Sequence, residues 1–532
     1  MHDLDAIVFT RAAFLRTSRS AVAKAVQLAQ LPGCDVVVST FVDTVEDAVE
    51  AIGNGAGDLL LRDWDSERIG QLRDALAQGQ LVERTAFPVG VDYDVASRSL
   101  EPGAFASYLN QIDGSGQARP RGEWAPGRDV HTPESDTRVS AAWPDDAWTQ
   151  GSSRTLNDAS EQIAPILRAA LNGEAPSRDD IELLFGAHGG DIEAIADVAD
   201  TLRQKIVGDD ITFVVNRNIN YTNQCYYKCG FCAFSKGPRS LDLRGEPYLI
   251  SIDEVVDRSQ EAWERGATEV CLQGGIHPDF TGQFYIDIVE AIKARVPDMH
   301  IHGFTPLEIW QGAETLGTTV RELLVLLKDA GLGTLPGTAA EILDDDVRLT
   351  LCPDKIRTSQ WAEVMLTAHD IGLRTTSTIM FGHVDSPRSW ANHIEVIREI
   401  QRRTGGFTEF VPLPFVHMGS PIWLRGHARP GPTWDEVILV HAVSRIAFIG
   451  LIDNIQASWV KLGLEGAEAL LRSGCNDVGG TLMDESISRA AGADHGTEVS
   501  ASDFRNLISD LDRNAVRRNT VYDAIEVGLS IT

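Results

Sequence analysis

Short apolar segments alternate with helical patterns along the C-terminal two thirds of the chain. The helical patterns repeat apolar residues at three- and four-residue steps, as over 252–265, 284–295 and 361–371, so each predicted helix buries one face. The segments between them read as strands. These begin near Ile211, Thr268, His300, Thr334, Arg374, Thr408, Asn454 and Asp477. About eight strand–helix units in sequence predict an α/β fold, a (β/α)8-type barrel with its reacting residues at the C-terminal strand ends.

Helical periodicity also precedes the first of these strands. Between 156 and 207, apolar residues recur at helical spacing, for example at Ile163, Leu167, Ile192 and Ile195. We expect these helices to form an N-terminal cap on the barrel. The predicted barrel domain therefore spans residues 156–532.

The N-terminal segment, 1–110, is predicted to form a small, separate α/β unit. Apolar runs at 6–9, 35–38 and 58–61 read as strands of a parallel sheet, with helical patterns at 20–30 and 44–52 between them. The segment contains no phosphate-binding glycine fingerprint and no His, Cys or carboxylate constellation. The sequence therefore assigns no function to this unit.

Residues 111–155 differ in composition from both neighbours. They are rich in Gly, Pro, Ser and acidic residues, which predicts a flexible linker. Three tryptophans, Trp124, Trp143 and Trp148, are unusual in a free linker. Either they pack the linker onto a neighbouring domain, or they lie at its ends.

Composition narrows the class of protein. Hydrophobic residues make up 43% of the chain, in runs too short to span a membrane, and the N-terminus lacks a signal-peptide pattern. The net charge of -30 argues against binding to a nucleic-acid backbone. Clustered free thiols are typical of a reducing compartment, so we expect a cytoplasmic protein.

Three cysteines form the main chemical signal. Cys225, Cys229 and Cys232 have C-x3-C-x2-C spacing and follow the first barrel strand. The other four, Cys34, Cys271, Cys352 and Cys475, are scattered singly. A loop of this kind can bind a [4Fe-4S] cluster through three thiolates and leave one iron open, whereas structural zinc sites use four ligands. A zinc loop or simple packing is the alternative.

Polar residues follow several of the other predicted strands. Gln273, Gly274 and Gly275 follow the second strand, where paired glycines allow close approach of a ligand or make a tight turn. The candidates for acid–base work are known only from their positions at strand ends: His302, Glu341 and His383. Each has a structural alternative, such as a hydrogen-bonded core histidine or a helix N-terminal carboxylate. Asn454, Gln456 and Ser458 would share one strand face, suited to binding a polar heterocycle.

Residues from about 157 to 522 resemble the CofH family, the tyrosine-using half of FO synthase within the radical S-adenosylmethionine (SAM) superfamily. Besides the cysteine loop, the stretches that match are 217–223, 272–276, 336–343, 404–410 and 480–488. Together they are more specific than the cysteine spacing alone. The segment 1–150 is expected to lie outside the resemblance.

The resemblance implies a cofactor set and a reaction. A [4Fe-4S] cluster on Cys225, Cys229 and Cys232 would bind SAM and cleave it to a 5'-deoxyadenosyl radical, with the Gln273–Gly275 segment at the SAM amino group. The radical would take a hydrogen atom from L-tyrosine, whose Cα–Cβ bond then breaks. The 4-hydroxybenzyl fragment would join C5 of 5-amino-6-(D-ribitylamino)uracil, the first step in making FO, the deazaflavin chromophore.

The same resemblance implies partner proteins, and two alternative functions remain. The chain has one C-x3-C-x2-C motif, so we expect it to perform only the first step, with a separate CofG-type radical SAM subunit completing FO and an electron donor reducing the cluster. One rival is a related radical SAM enzyme of the futalosine menaquinone pathway. A rival of another class is a non-catalytic metal-binding interaction protein.

Overall fold

The computed structural model describes residues 5–9, 12–17, 36–42, 44–53, 58–61, 71–72, 75, 93–100, 102–117, 119–120, 122, 124–133, 159–235 and 246–525. The chain divides into two compact units, Met1–Pro120 and Arg121–Thr532. This division falls within the segment predicted as a linker. The predicted helix at 20–30, Cys34, Trp143 and Trp148 lie outside the described residues.

The N-terminal unit contains a four-stranded sheet with strand order β1-β2-β3-β4. Its described elements are β1 (Asp5–Phe9), β2 (Ala12–Thr17), β3 (Val36–Val42), α1 (Val45–Gly53), β4 (Asp58–Leu61), α2 (Tyr93–Ser99) and α3 (Pro102–Leu109). Strand β2 was not predicted, and it pairs antiparallel with β1 but parallel with β3. The expectation of an all-parallel sheet was therefore wrong, because only two residues separate β1 from β2 and a parallel crossover needs a dozen or more.

From residue 159 on, the described part of the C-terminal unit has three helices, as the periodicity predicted, and continues as alternating strands and helices. The elements are α4 (Ala164–Leu171), α5 (Arg178–Phe185), α6 (Gly190–Val207), β5 (Asp210–Val214), β6 (Asn216–Ile219), α7 (Ile252–Glu264), β7 (Glu269–Leu272), α8 (Gly282–Arg295), β8 (His300–Gly303), α9 (Pro306–Leu316), α10 (Val320–Ala330), β9 (Thr334–Leu335), α11 (Asp345–Leu351), α12 (Thr358–Asp370), β10 (Arg374–Phe381), α13 (Pro387–Thr404), β11 (Phe407–Pro414), α14 (Pro421–Leu424), α15 (Trp434–Ala447), α16 (Trp459–Leu471), β12 (Asp477–Gly480), α17 (Ile487–Ala491), α18 (Ala501–Ser509) and β13 (Asn514–Arg517).

Strands β6 to β11 form one continuous parallel sheet in chain order. Single parallel bridges, Phe410 to Ile455 and Gln456 to Asp477, extend it to β12. On the other edge, the amide of Asn218 in β6 donates to the Leu482 carbonyl beyond β12, at 2.8 Å. These links connect both edges of the curled sheet to β12 and the segment after it. The strand predicted at Asn454 is reduced to the two bridges, and the first predicted strand divides into β5 and β6.

Several barrel helices begin at a capping box that their sequence pattern indicates. In α9, α10 and α15, a threonine at the N-cap is followed three residues later by a glutamate, and each side chain bonds the other's backbone amide. Two of the amides left unpaired at a helix start are thereby satisfied. These boxes fix where each helix leaves its βα loop. Among the described helices, none is long and apolar enough to cross a membrane.

The described part of the predicted linker includes residues 124–133, which pack on the C-terminal unit. The Trp124 and Trp434 rings meet edge to face, with centroids 5.0 Å apart. The amide of Gly127 donates to the Lys461 carbonyl at 2.7 Å, and its carbonyl accepts from Asp494 N at the same distance. We call residues 124–133 the strap. The strap thus joins the loops that follow two neighbouring strand positions of the barrel.

Candidate active site

The cysteine loop leaves the C-terminal end of β6 and is held by backbone hydrogen bonds on three sides. The Gly275 amide donates to the Thr222 carbonyl at 2.8 Å, beside the end of β7. The Gly230 amide donates to the Leu351 carbonyl at 2.8 Å, and the Gly230 carbonyl accepts from Ile422 N at 2.7 Å. These hydrogen bonds hold the loop at three points of its backbone.

The three cysteines of the loop are free and partly exposed. Burial raises the pKa of Cys229 and Cys232, and the nearby Lys355 ammonium opposes this rise in both. Iron requires thiolates, and a nearby metal inverts the effect of burial on such groups. Within the described ranges no group of three or more His, Cys, Asp or Glu converges on one metal ion, but each cysteine of a [4Fe-4S] cluster binds a different iron, so its thiols need not converge.

These residues suit a cluster with three cysteine ligands. The donors are soft thiols on one rigid loop, which is the ligand type that iron–sulfur clusters use. The other four cysteines are distant from the loop in the sequence, but Cys352 is near it in the fold. Its charge is one of the lesser causes that raise the pKa of Cys229. Cys352 is buried, with 1% of its surface exposed. Cys271 is partly exposed, but it lies on β7 and its thiol donates to Glu269 Oε1 at 3.0 Å. The three loop thiols are therefore the group that a cofactor could bind together.

Gly274 and Gly275 are positions where no side chain fits. A Cβ on Gly274 would lie 2.3 Å from the Tyr221 ring, and one on Gly275 would lie 2.2 Å from the Gln224 carbonyl oxygen. The preceding Gln273 donates from Nε2 to Thr338 Oγ1 at 3.1 Å. The glycine pair therefore lets the end of β7 pack directly on the cysteine loop.

The resemblance places Gly274 at the SAM amino group, so we expect Gly274→Ala to weaken binding of SAM by roughly tenfold, because the methyl group displaces this segment at a strain of about 1–3 kcal/mol. The new methyl group forces either the Tyr221 ring or the β7 end to move. Equilibrium dialysis of labelled SAM with the reconstituted protein measures the change. Gly190→Ala is the matched control, because no atom lies within 4 Å of a Cβ there. Equal SAM affinity in the two variants would contradict the packing role.

A buried carboxylate, Glu308, supports the same segment and was not found from the sequence. Its Oε1 accepts from the Gly274 amide at 3.2 Å and from the Tyr221 hydroxyl, and its Oε2 accepts from the Thr305 amide at 2.7 Å. Burial raises the pKa of Glu308 to about 7. Only the capping-box pattern signalled Glu308, and a capping box does not indicate that its carboxylate reaches a second strand end.

Glu341 lies at the barrel mouth, as predicted, but already has a partner. Its Oε1 is 2.5 Å from Lys355 Nζ, and both side chains are largely buried. The Lys355 ammonium also lies 5.2 Å from the centroid of the Phe231 ring, inside the cysteine loop. Lys355, which the sequence did not single out, therefore joins the β9 end to the cysteine loop.

The two candidate histidines have structural contacts. His302 Nδ1 lies 2.7 Å from Thr334 Oγ1, and burial lowers its pKa to about 4. His383 is fully buried, with Nε2 3.1 Å from the Met380 carbonyl and Nδ1 accepting from the Val384 amide at 2.7 Å. These contacts favour the hydrogen-bonded core histidine over acid–base work for both residues.

Asn454, Gln456 and Ser458 lie along one segment but do not form one free polar face. Asn454 donates to the Thr408 carbonyl at 2.9 Å and accepts from Asn476. Gln456 donates to Glu409 at 3.2 Å, and Ser458 is the N-cap of α16. The two amides thus have partners inside the protein, and a role in substrate binding stays a prediction.

Comparison with known proteins places the chain in an enzyme superfamily. Residues 219–397 match the family model of the Radical SAM superfamily, and residues 404–531 match the CofH/MqnC C-terminal region. The fold agrees with that of methylornithine synthase, whose crystal structure gives a TM-score of 0.53 at 16% identity over 66% of this chain and 97% of that one.

Two relatives narrow the family. The 5-amino-6-(D-ribitylamino)uracil–L-tyrosine 4-hydroxyphenyl transferase of Methanothermobacter thermautotrophicus is 46% identical over 361 residues, which is 68% of this chain and 97% of that protein. FO synthase of Nocardia farcinica is 44% identical over 467 residues, 87% of this chain and 53% of that protein. The chain belongs to the CofH family of the radical SAM superfamily.

Two further points follow from these comparisons. The Nocardia alignment is longer than the unit that starts at residue 121, so the similarity reaches into the N-terminal unit. The expectation that the whole segment 1–150 lies outside it was wrong. The chain also spans only about half the length of the relatives named FO synthase.

Members of the superfamily use a [4Fe-4S] cluster and SAM.

Proposed function

We propose that this chain is a radical SAM transferase that joins the 4-hydroxybenzyl group of L-tyrosine to 5-amino-6-(D-ribitylamino)uracil, the first step of FO synthesis. The observation that carries the proposal is the Methanothermobacter relative, whose name states this substrate pair and which aligns over nearly its whole length. The fixed cysteine loop at a barrel mouth supports it, because radical chemistry needs a preorganised, shielded site.

Within this proposal, Cys225, Cys229 and Cys232 bind a [4Fe-4S] cluster and leave one iron open for SAM. The bound cofactors supply a carbon-centred radical that takes a hydrogen atom from tyrosine. The chain's own part is orientation: the end of β7 at Gln273, Gly274 and Gly275 lies directly against the cysteine loop, and Glu308 fixes Gly274 from behind. Lys355 places a positive charge beside the thiolates, which favours their charged form.

The proposal extends to partners and domains. It includes a separate CofG-type subunit for the cyclisation step, an electron donor for the cluster, and a cytoplasmic location. The 1–110 unit is proposed as separate from the catalytic domain at 156–532, with the 111–155 segment connecting the two in sequence and its strap packed on the barrel. Because residues 1–532 carry a single C-x3-C-x2-C motif, the proposal assigns the second step to a second radical SAM site outside them.

A second candidate function is that of the menaquinone-pathway relatives. The observation that favours it is the family match over 404–531, whose model covers CofH and MqnC alike. The two functions differ in substrate, not in cluster chemistry. The non-catalytic alternative predicts a protein that never cleaves SAM.

The experiment supplies reduced, reconstituted protein with SAM and one of two substrate sets. One set is tyrosine with the diaminouracil, and the other is the futalosine-type substrate. We expect 5'-deoxyadenosine to accumulate with a hydroxybenzyl–diaminouracil adduct in the first set only. Turnover of the futalosine-type substrate alone would favour the second candidate. A full cluster with no deoxyadenosine in either set would support the non-catalytic reading.

A further inference from the structure

Lys461 lies at the barrel mouth, in the first turn of α16, and among the described residues its ammonium makes one hydrogen bond. Its Nζ donates to Ser488 Oγ at 2.9 Å. An ammonium has three N–H donors. Within the described residues no carboxylate lies within ion-pair distance of it, whereas other lysines and arginines of the barrel mouth have such partners, as Lys355 does.

The ammonium reaches from the start of α16 to the segment that follows β12, where Ser488 lies. Burial lowers the pKa of Lys461, and the charges of Glu485 and Glu341 partly offset this effect. Glu485 follows β12, next to Lys461 around the barrel, while Glu341 follows β9 on another part of the wall. The geometry that locates the head group is its contact with Ser488, at the end of the neighbouring strand position.

Both of these carboxylates are already committed to other donors. Glu341 pairs with Lys355 at 2.5 Å. Glu485 accepts from Asn218 Nδ2 at 2.6 Å and from the Ser488 amide at 2.7 Å. A partly buried cation with no direct counter-ion is costly. An anionic group bound directly at Lys461 Nζ, on the side away from Ser488, would offset that cost.

The backbone of Lys461 is held in place. Its carbonyl accepts from the Gly127 amide of the strap at 2.7 Å, and its amide donates to the Ser458 carbonyl at 3.1 Å. The Ser488 hydroxyl orients the side chain from the loop after β12. A charged group fixed at both ends suits the recognition of a ligand better than a freely moving surface lysine does.

We propose that Lys461 binds the carboxylate of the amino-acid substrate. The inference rests on the proposed function, because tyrosine is the substrate that carries a carboxylate there. SAM carries a carboxylate too, but the segments assigned to SAM, the cysteine loop and Gly274, lie at the ends of β6 and β7. Lys461 follows the strand position between β11 and β12. Tyrosine is therefore the source that the placement favours.

The test compares L-tyrosine with L-tyrosinamide, which has a neutral amide in place of the carboxylate. Equilibrium dialysis with the reconstituted, SAM-loaded protein gives the dissociation constants. For the unaltered protein we expect tyrosinamide to bind roughly 10- to 100-fold more weakly, the usual range for a hydrogen bond between charged groups. In Lys461→Met the two ligands should bind almost equally, and Lys461→Arg should retain part of the preference.

Lys205→Met is the matched control, since Lys205 is an exposed lysine on α6 that donates to the Leu171 carbonyl. It should keep the full preference for tyrosine. A preference that persists in Lys461→Met would overturn the inference, as would a loss of affinity for SAM with no change for tyrosine. Neither result touches the proposed function, which would instead fail if the unaltered protein made no hydroxybenzyl–diaminouracil adduct.

Discussion

Cys229→Ala should abolish cleavage of SAM and formation of the hydroxybenzyl–diaminouracil adduct. Cys229 lies in the middle of the cysteine loop, one residue before Gly230, whose amide and carbonyl both bond neighbouring segments. With one of three thiolates gone, the loop cannot hold a cluster that has a single open iron. Iron and sulfide content after reconstitution, together with chromatographic measurement of 5'-deoxyadenosine, would record the loss.

Cys475→Ala is the control for the loss of a thiol as such. Cys475 is fully buried, and burial raises its pKa, so it remains a neutral thiol in the core. Its removal costs about 1 kcal/mol of packing at most on the usual scale for small deletions and should leave cluster content unchanged. Normal deoxyadenosine formation by Cys229→Ala would remove the cysteine loop from the chemistry.

Arg518→Met should be the most destabilising of the single substitutions considered, by about 3–5 kcal/mol. Arg518 is buried and donates from Nε to Asp477 Oδ2 at 2.5 Å and from Nη2 to Asp477 Oδ1 at 3.0 Å. Its Nη2 also reaches Glu409 at 3.3 Å, and its guanidinium lies 4.0 Å from the Tyr522 ring centroid. Removing the cation leaves two buried carboxylates without their counter-charge. Urea unfolding followed by circular dichroism measures the change.

Arg321→Met is the control, because it removes a surface arginine instead of a buried one. Arg321 pairs with Asp370 on the surface, where the side chains are 54% and 65% exposed. Such pairs contribute about 0–1 kcal/mol, so its free energy of unfolding should change little. If the two arginine variants unfolded at the same urea concentration, the buried network would not have the stabilising role given to it here.

Structural features that depend on local sequence pattern could be predicted. Periodicity located the helices before the barrel and nearly every barrel strand, because strands and helices repeat at their own spacing. The three-cysteine loop was legible because its ligands lie close together in the sequence, from Cys225 to Cys232. The family followed from several such local stretches, and the matches over 219–397 and 404–531 confirm it.

Contacts between distant parts of the chain could not be predicted. Lys355 and Cys352 reach the cysteine loop only because α11 ends beside Gly230. Glu308 reaches Gly274 because α9 begins at the neighbouring strand end. The last strand, β13, was missed because its partner β5 lies at the opposite end of the barrel domain in the sequence. Conversely, His383 had the right position for catalysis, but its neighbours bind both of its ring nitrogens.

The central claim is tested most directly by tracing the carbon atoms of tyrosine into the product. The reduced, reconstituted protein is given SAM, the diaminouracil and tyrosine labelled with carbon-13 in its ring and β-carbon, and the products are analysed by mass spectrometry. The account predicts that the diaminouracil product carries the whole label, while tyrosine labelled at its α- and carboxyl carbons gives an unlabelled product. Label from the α-carbon in the product, or no product at all from a protein with a full cluster, would contradict the account.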